Sequence, residues 1–377
     1  MTVSINFKKL DFLPFLLFVF LCVFFYISQR PLWLDEKLIL ENIIKKPTFL
    51  LLGPLENSQA FPRVYLILIK IFAQKLNYHI LVLRFFPLIS MLVAFFIWQR
   101  IYKTQFYLNF SYLLGVLSFL GSWRILYYSN ELKPYSLDVL IVGCFVLYLI
   151  NQKALYTKNQ KLFIFLTLLL PFTILFSYAS FFMFWLVFVN LFKNRKNRTL
   201  ALLYIFLCLL FFAFVFYLDL QYSFKDKGLI NYWNDYFLCT TNLYCFLKSF
   251  GEGIRKLVVW WFSDLGIFRK IASFFIPFFA ISLFGFGINS IKKFKIDLIS
   301  IGFVIFLELF IFGIIKKYPF TGERITLFFA PFSFYFIIKS FEIFRKIKFI
   351  YWFLNIFYFC FIFASLVRSL TLIVFYI

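Results

Sequence analysis

Apolar runs set the outer limits on this fold. Eleven stretches, at 11–28, 85–99, 109–126, 135–150, 162–177, 179–192, 199–219, 272–289, 298–315, 325–339 and 349–367, are dominated by Phe, Leu, Ile and Val. A membrane-crossing helix takes about 20 such residues. The runs therefore predict an all-α polytopic membrane protein with about 11 transmembrane helices, residues 1–377 forming a single integral membrane domain. Composition agrees. Hydrophobic residues are 63% of the chain and charged residues only 15%, against about 45–50% and about 25% in soluble domains. A soluble globular enzyme, a disordered chain and a secreted disulfide scaffold are all excluded. The stretch 61–76 is apolar too, but Pro62, Arg63, Lys70 and Lys75 interrupt it, so an interfacial helix is expected there. The first run follows Lys8 and Lys9 and has no small-residue cleavage site near Ser28, which predicts a retained signal anchor.

Charge supplies the sidedness. Lys and Arg number 39 against 16 Asp and Glu, a net charge of +23. In a membrane protein such an excess is read first as loop cations held inside, not as a nucleic-acid footprint. With a cytoplasmic N-terminus, the inside loops 100–108, 151–161, 193–198, 290–297 and 340–348 each hold at least two basic residues. The outside then receives two long loops, 29–84 and 220–271, and the short loops 127–134 and 316–324. Asp35, Glu36, Glu41, Glu56, Glu131, Asp219, Asp226, Asp235, Glu252, Asp264 and Glu323 all fall outside. Cys239 and Cys245 share the second outside loop, either as a disulfide or as two free thiols. His79 is the only histidine, which removes any His-based metal cluster or Ser-His-Asp triad; it is expected to be interfacial and structural.

Three outside clusters carry chemistry. The first is Asp35-Glu36 just beyond the first run, where the plain reading is a solvated acidic pair at a helix start. The second is Tyr127-Tyr128-Ser129-Asn130-Glu131-Leu132-Lys133-Pro134-Tyr135, which combines an acid, a base and three tyrosines. Its plain reading is interfacial Tyr and snorkelling Lys. Asp138 follows one turn into the next run, and an ionisable group inside a membrane helix is a candidate site by default. The third is Lys316-Lys317-Tyr318-Pro319-Phe320-Thr321-Gly322-Glu323-Arg324. Three outward cations there break the positive-inside bias and call for an anion, with lipid phosphate the obvious one.

In this order and sidedness, the chain resembles the GT-C superfamily of polyprenyl-phosphate-sugar glycosyltransferases. It is most similar to the branch of protein O-mannosyltransferases and lipid A aminoarabinose transferases. The resemblance rests on Asp35-Glu36, on Pro62 to Tyr65, on Leu83-Arg84 before the second run, on Glu131 to Tyr135, and on Tyr318-Pro319 with Arg324. Where many relatives carry a His-Tyr pair, this chain has Ser177-Tyr178. Trp260-Trp261-Phe262-Ser263-Asp264 is out of register for the oligosaccharyltransferase Trp-Trp-Asp signature and is set aside.

The resemblance implies transfer of a sugar from a polyprenyl-phosphate donor to an acceptor on the outer face of a membrane. Asp35 is expected as the base that takes the acceptor proton, with Glu36 orienting it or contacting the acceptor. Arg84, Lys133 and Arg324, backed by Lys316 and Lys317, are expected on the donor phosphate. Tyr65, Glu131, Tyr135 and Asp138 are expected around the substrates. Displacement in one step inverts the anomeric centre. No metal is required, although a divalent ion at Asp35, Glu36 and a phosphate is compatible with the chemistry. Trp233, Trp260 and Trp261 either stack on sugar, cover the site or anchor the interface. The Phe, Ile, Lys and Asn bias suggests an AT-rich bacterial genome, hence a bacterial inner membrane. Glu308, inside the ninth run, keeps a lipid-linked sugar flippase or polysaccharide transporter open. An O-antigen polymerase or ligase is a third reading.

Overall fold

The computed structural model describes residues 7–106, 109–262, 266–293, 296–321 and 323–375. Ser263, Asp264 and Gly322, and the side chains of Lys8 and Lys9, fall outside that description. Among the described residues every regular element is helical, and a helix lies at each of the eleven apolar runs. Five are long and apolar enough to cross a membrane: Ile80–Gln105, Tyr135–Lys158, Arg195–Ser223, Glu323–Lys346 and Lys348–Leu372. A sixth forms if Gly266–Ser273 and Ile276–Lys292 count as one span bent by 41°. The others, Phe12–Ile27, Phe110–Gly121, Gln160–Leu175, Tyr178–Lys193 and Leu298–Ile314, are shorter. The chain is thus helical with several membrane-length helices, and length and composition establish fewer spans than the eleven expected. The expected unbroken run at 272–289 is one difference. Its helix is interrupted at Phe274-Phe275, and Pro277 opens the next segment, where a missing N–H costs nothing.

The amino-terminal part positions the outer clusters. Helix α1 (Phe7–Ile27) ends at a turn, and α2 (Leu34–Lys45) and α3 (Arg63–Lys75) follow before α4 (Ile80–Gln105). A helix does lie in the stretch 61–76, and it is α3. Together α2 and α3 enclose a small core of Ile39, Ile43, Leu51, Phe61, Leu66 and Ile69. Lys70 stitches the pair. Its ammonium donates to Ile43 O at 2.6 Å and also to Lys46 O, satisfying the bare carbonyls at the end of α2 where the helix dipole favours a cation. His79 starts α4, its Nδ1 accepting from Leu81 N at 3.3 Å. The helix therefore begins five residues before the apolar run.

Helix α5 (Asn109–Gly121) and the short α6 (Trp123–Tyr128) lead to α7 (Tyr135–Lys158), which packs along α4. The two approach closely at Gly143, where a Cβ would sit 2.9 Å from Trp98 Nε1. That nitrogen donates to Val139 O at 3.2 Å. Elsewhere the core is largely aromatic, with edge-on ring pairs such as Trp98–Phe332 at 5.1 Å, the geometry that ring quadrupoles favour. The helix of Arg198–Val215 continues through a π-turn at Phe216–Leu220, and that wider turn carries Asp219 to the interior. The second long loop carries helices at Lys227–Trp233 and Leu243–Val259. Cys239 and Cys245 form a disulfide across the loop between them.

Candidate functional site

Successive residues on a helix diverge by about 100°, and α2 uses this to separate its two acids. Glu36 points inward and is fully buried. Oε1 accepts from Arg84 Nε at 3.1 Å and Leu132 N at 2.8 Å. Oε2 accepts from Arg84 Nη2 at 2.8 Å, Arg30 Nη1 at 3.0 Å and Trp33 N at 3.3 Å. The last of these is the reach-back of a capping box. Arg84 spends its remaining donors on Arg30 O at 2.6 Å and Pro31 O at 3.4 Å. Arg30 also donates to Asn130 O at 3.2 Å and lies 4.3 Å from the Tyr127 ring centroid. One carboxylate thus ties the end of α1, the start of α2, α4 and the 129–134 segment together.

Two expectations change here. Arg84 is closed to a donor phosphate, because its guanidinium is buried and each of its three nitrogens already donates to a protein oxygen. Glu36 is closed to acceptor contact and to a divalent ion shared with Asp35, because both of its oxygens already hold donors. Among the described residues no group of three or more His, Cys, Asp or Glu side chains stands ready for a metal.

Asp35 faces the other way. Its Oδ2 pairs with Arg324 at 2.7 Å, the two side chains remaining 19% and 11% exposed. That fraction matters, since this pair keeps contact with solvent and Glu36 keeps none. Arg324 is framed by aromatic faces, 4.8 Å from the Trp33 ring and 5.7 Å from Tyr232, and donates to Tyr232 Oη at 3.0 Å. Arg324 also lines a cavity of about 320 Å³.

Behind the pair lies a buried polar layer. Lys133 donates to Gln59 Oε1 at 2.8 Å and lies within electrostatic reach of Asp35 and Arg324. Burial pulls its ammonium below the usual lysine range, opposed first by Asp35. Glu131 is fully buried, and neither carboxylate oxygen has a hydrogen-bond partner among the described residues. Burial pushes its carboxyl up, and the Glu36 charge adds to the effect against Arg30, Arg324 and Lys133. The Tyr65 hydroxyl is likewise buried without a partner. Tyr135 is buried, and Asp138 accepts from Ser177 Oγ at 2.5 Å. Ser177 thus holds Asp138, and the adjacent Tyr178 donates to Asp219, which pairs with Arg63.

The 316–324 cations do not act as one group. Arg324 turns to Asp35. Lys317 lies 4.9 Å from the Phe224 ring, at an apolar groove of about 570 Å³ lined by Phe181, Phe182, Phe212, Phe216 and Phe312, with Lys225 also on its wall. Lys316 is exposed and holds a positive φ of 54°. Trp260 and Trp261 are buried rather than open to sugar, Trp260 stacked on Tyr128 and Trp261 donating to Leu257 O at 2.5 Å. Trp233 does line the cavity. Arg30, Arg63, Asp219 and Trp33 were missed in the sequence. The outward-cation criterion applied to 316–324 would have flagged Arg30 and Arg63. Compared with known proteins, the chain matches no protein-family model, no curated protein and no solved structure.

Proposed function

We propose that this chain is a glycosyltransferase of the GT-C kind, with eleven spans and a cytoplasmic N-terminus in a bacterial inner membrane. It moves a sugar from a polyprenyl-phosphate donor to an acceptor on the outer face. The reading rests on one observation above all: Asp35 and Arg324, from the first and last outer loops, form a partly exposed pair at a cavity. The pair joins the two groups that sugar transfer from a lipid phosphate needs, a proton acceptor and an anion binder.

The pairing also suggests an order of events. In the free protein Arg324 holds Asp35. A donor phosphate offers the guanidinium a bidentate partner, and Asp35 is then released to take the acceptor proton. Lys133 adds positive charge beside the pair, and Lys317 stands farther out. The Phe-lined groove, with Lys317 and Lys225 on its wall, suits the isoprenoid chain of such a donor. Asp35→Asn tests the reading. It should abolish release of sugar from a labelled polyprenyl-phosphate donor while insertion and donor binding stay normal. Full transfer by the variant ends the proposal.

A transporter is the second reading, favoured by Glu308. This half-buried carboxyl in Leu298–Ile314 has an Oε2 without a partner among the described residues. If Glu308→Gln stops lipid-linked sugar from crossing a vesicle while Asp35→Asn does not, the transporter reading replaces the enzyme.

A further inference from the structure

Two cavities open on this part of the molecule, and their linings differ in kind. The groove beside Lys317 is walled by phenylalanines. The cavity at Arg324 is mainly polar at its surface, although its walls are Trp and Tyr rings, among them Trp33, Trp233 and Tyr232, interrupted by Arg124, Glu323 and Arg324. A lipid tail has no use for tyrosine hydroxyls, two guanidiniums and a carboxylate. An extended peptide needs a row of main-chain partners such as a sheet edge, and the described residues contain no strand.

A sugar ring fits both requirements. Its faces present polarised C–H groups, which the negative faces of aromatic rings attract. Its rim presents hydroxyls, which need donors and acceptors on the pocket wall. The wall is also held in shape. Thr321 N donates to Tyr236 O at 3.4 Å and Leu238 N to Gly313 O at 3.2 Å. Ser58 Oγ donates to Asp226 Oδ1 at 2.9 Å, fixing the start of the segment that carries Tyr232 and Trp233.

We propose that the cavity at Arg324 binds a sugar ring of the acceptor, so that the acceptor is a saccharide and not a peptide. This rests on the transferase reading above. In the step it implies, a ring hydroxyl oxygen bonds to the donor's anomeric carbon and the bond from that carbon to the phosphate oxygen breaks. The lipid phosphate leaves with the electron pair, and Asp35 takes the hydroxyl proton.

The test is a binding titration of the full chain in lipid nanodiscs, without donor, read by intrinsic tryptophan fluorescence. The probes are maltotriose, chitotriose and a Ser/Thr-rich hexapeptide. At least one trisaccharide should quench saturably. Trp233→Ala should weaken that binding by about tenfold. Trp185→Ala, a change at a 55% exposed ring on another helix, should leave the affinity unchanged. The proposal is overturned if no trisaccharide binds, if only the peptide binds, or if Trp233→Ala binds as tightly as the parent. Saccharide binding by a chain that consumes no lipid-linked donor refutes the transferase reading instead. Donor consumption without saccharide binding refutes this one alone.

Discussion

Asp35 and Glu36 are neighbours in the chain and occupy opposite environments. Asp35 meets one guanidinium at a cavity and keeps contact with solvent. Glu36 meets two guanidiniums and two backbone amides and keeps none. Both sit in ion pairs, so pairing alone does not tell the two acids apart. Burial does: the Asp35–Arg324 pair keeps some contact with solvent, whereas Glu36 and the two arginines that hold it are buried.

The comparison can be broken in several ways, the largest first. Glu36→Ala strips a buried carboxylate from two buried arginines. It should cost about 3–5 kcal/mol of stability, measured as unfolding in detergent, and most of the chain should fail to accumulate. Asp35→Asn should do the reverse. Sugar transfer should fall by about 10²–10⁴-fold, while the unfolding midpoint moves by no more than about 0.5 kcal/mol, as for a partly exposed pair. If the two variants lose stability equally, the division of labour between the acids is wrong.

Glu131 sharpens the comparison through pH. Its carboxyl is held above the usual carboxylate range by burial and by Glu36. The folded chain therefore binds this proton more tightly than the unfolded chain. Stability is full below the usual carboxylate range and falls as pH rises from there towards neutrality. Glu131→Gln should flatten that fall, a change on the order of 2 kcal/mol across the window, read from unfolding midpoints at a series of pH values. Smallest is Tyr178→Phe, which removes one hydrogen bond to Asp219 and should cost about 1 kcal/mol without altering the Asp35–Arg324 pair.

Helix positions were legible because an apolar run long enough for a bilayer has few other uses. Ends and breaks were not. The start of α4 depends on a His79 cap, and the break at Phe274-Phe275 interrupts a run whose composition does not change. At the candidate site, the expectation of outward cations at 316–324 singled out Arg324 and the place after the first run singled out Asp35, and the structure pairs the two. Sidedness, however, carries no information about depth. Arg84 and Lys133 read alike in sequence, yet one is locked under Glu36 and the other is near the open pair. Arg63 and Asp219 are 156 positions apart, and only the packed helices bring them together.

The π-turn at Phe216–Leu220 has a consequence for how the chain tolerates change. Such a turn holds one residue more than an α-helix needs, and each residue advances a helix by about 100°. Everything beyond the turn is set in angle by that surplus residue, including Gln221, Phe224 and Lys225 on the groove. Deleting one position between Phe216 and Leu220 swings Asp219 away from Arg63 and rotates the groove wall by the same step. The buried carboxylate and the apolar groove are thus on a single dial, so an insertion or deletion in this short segment alters both features or neither.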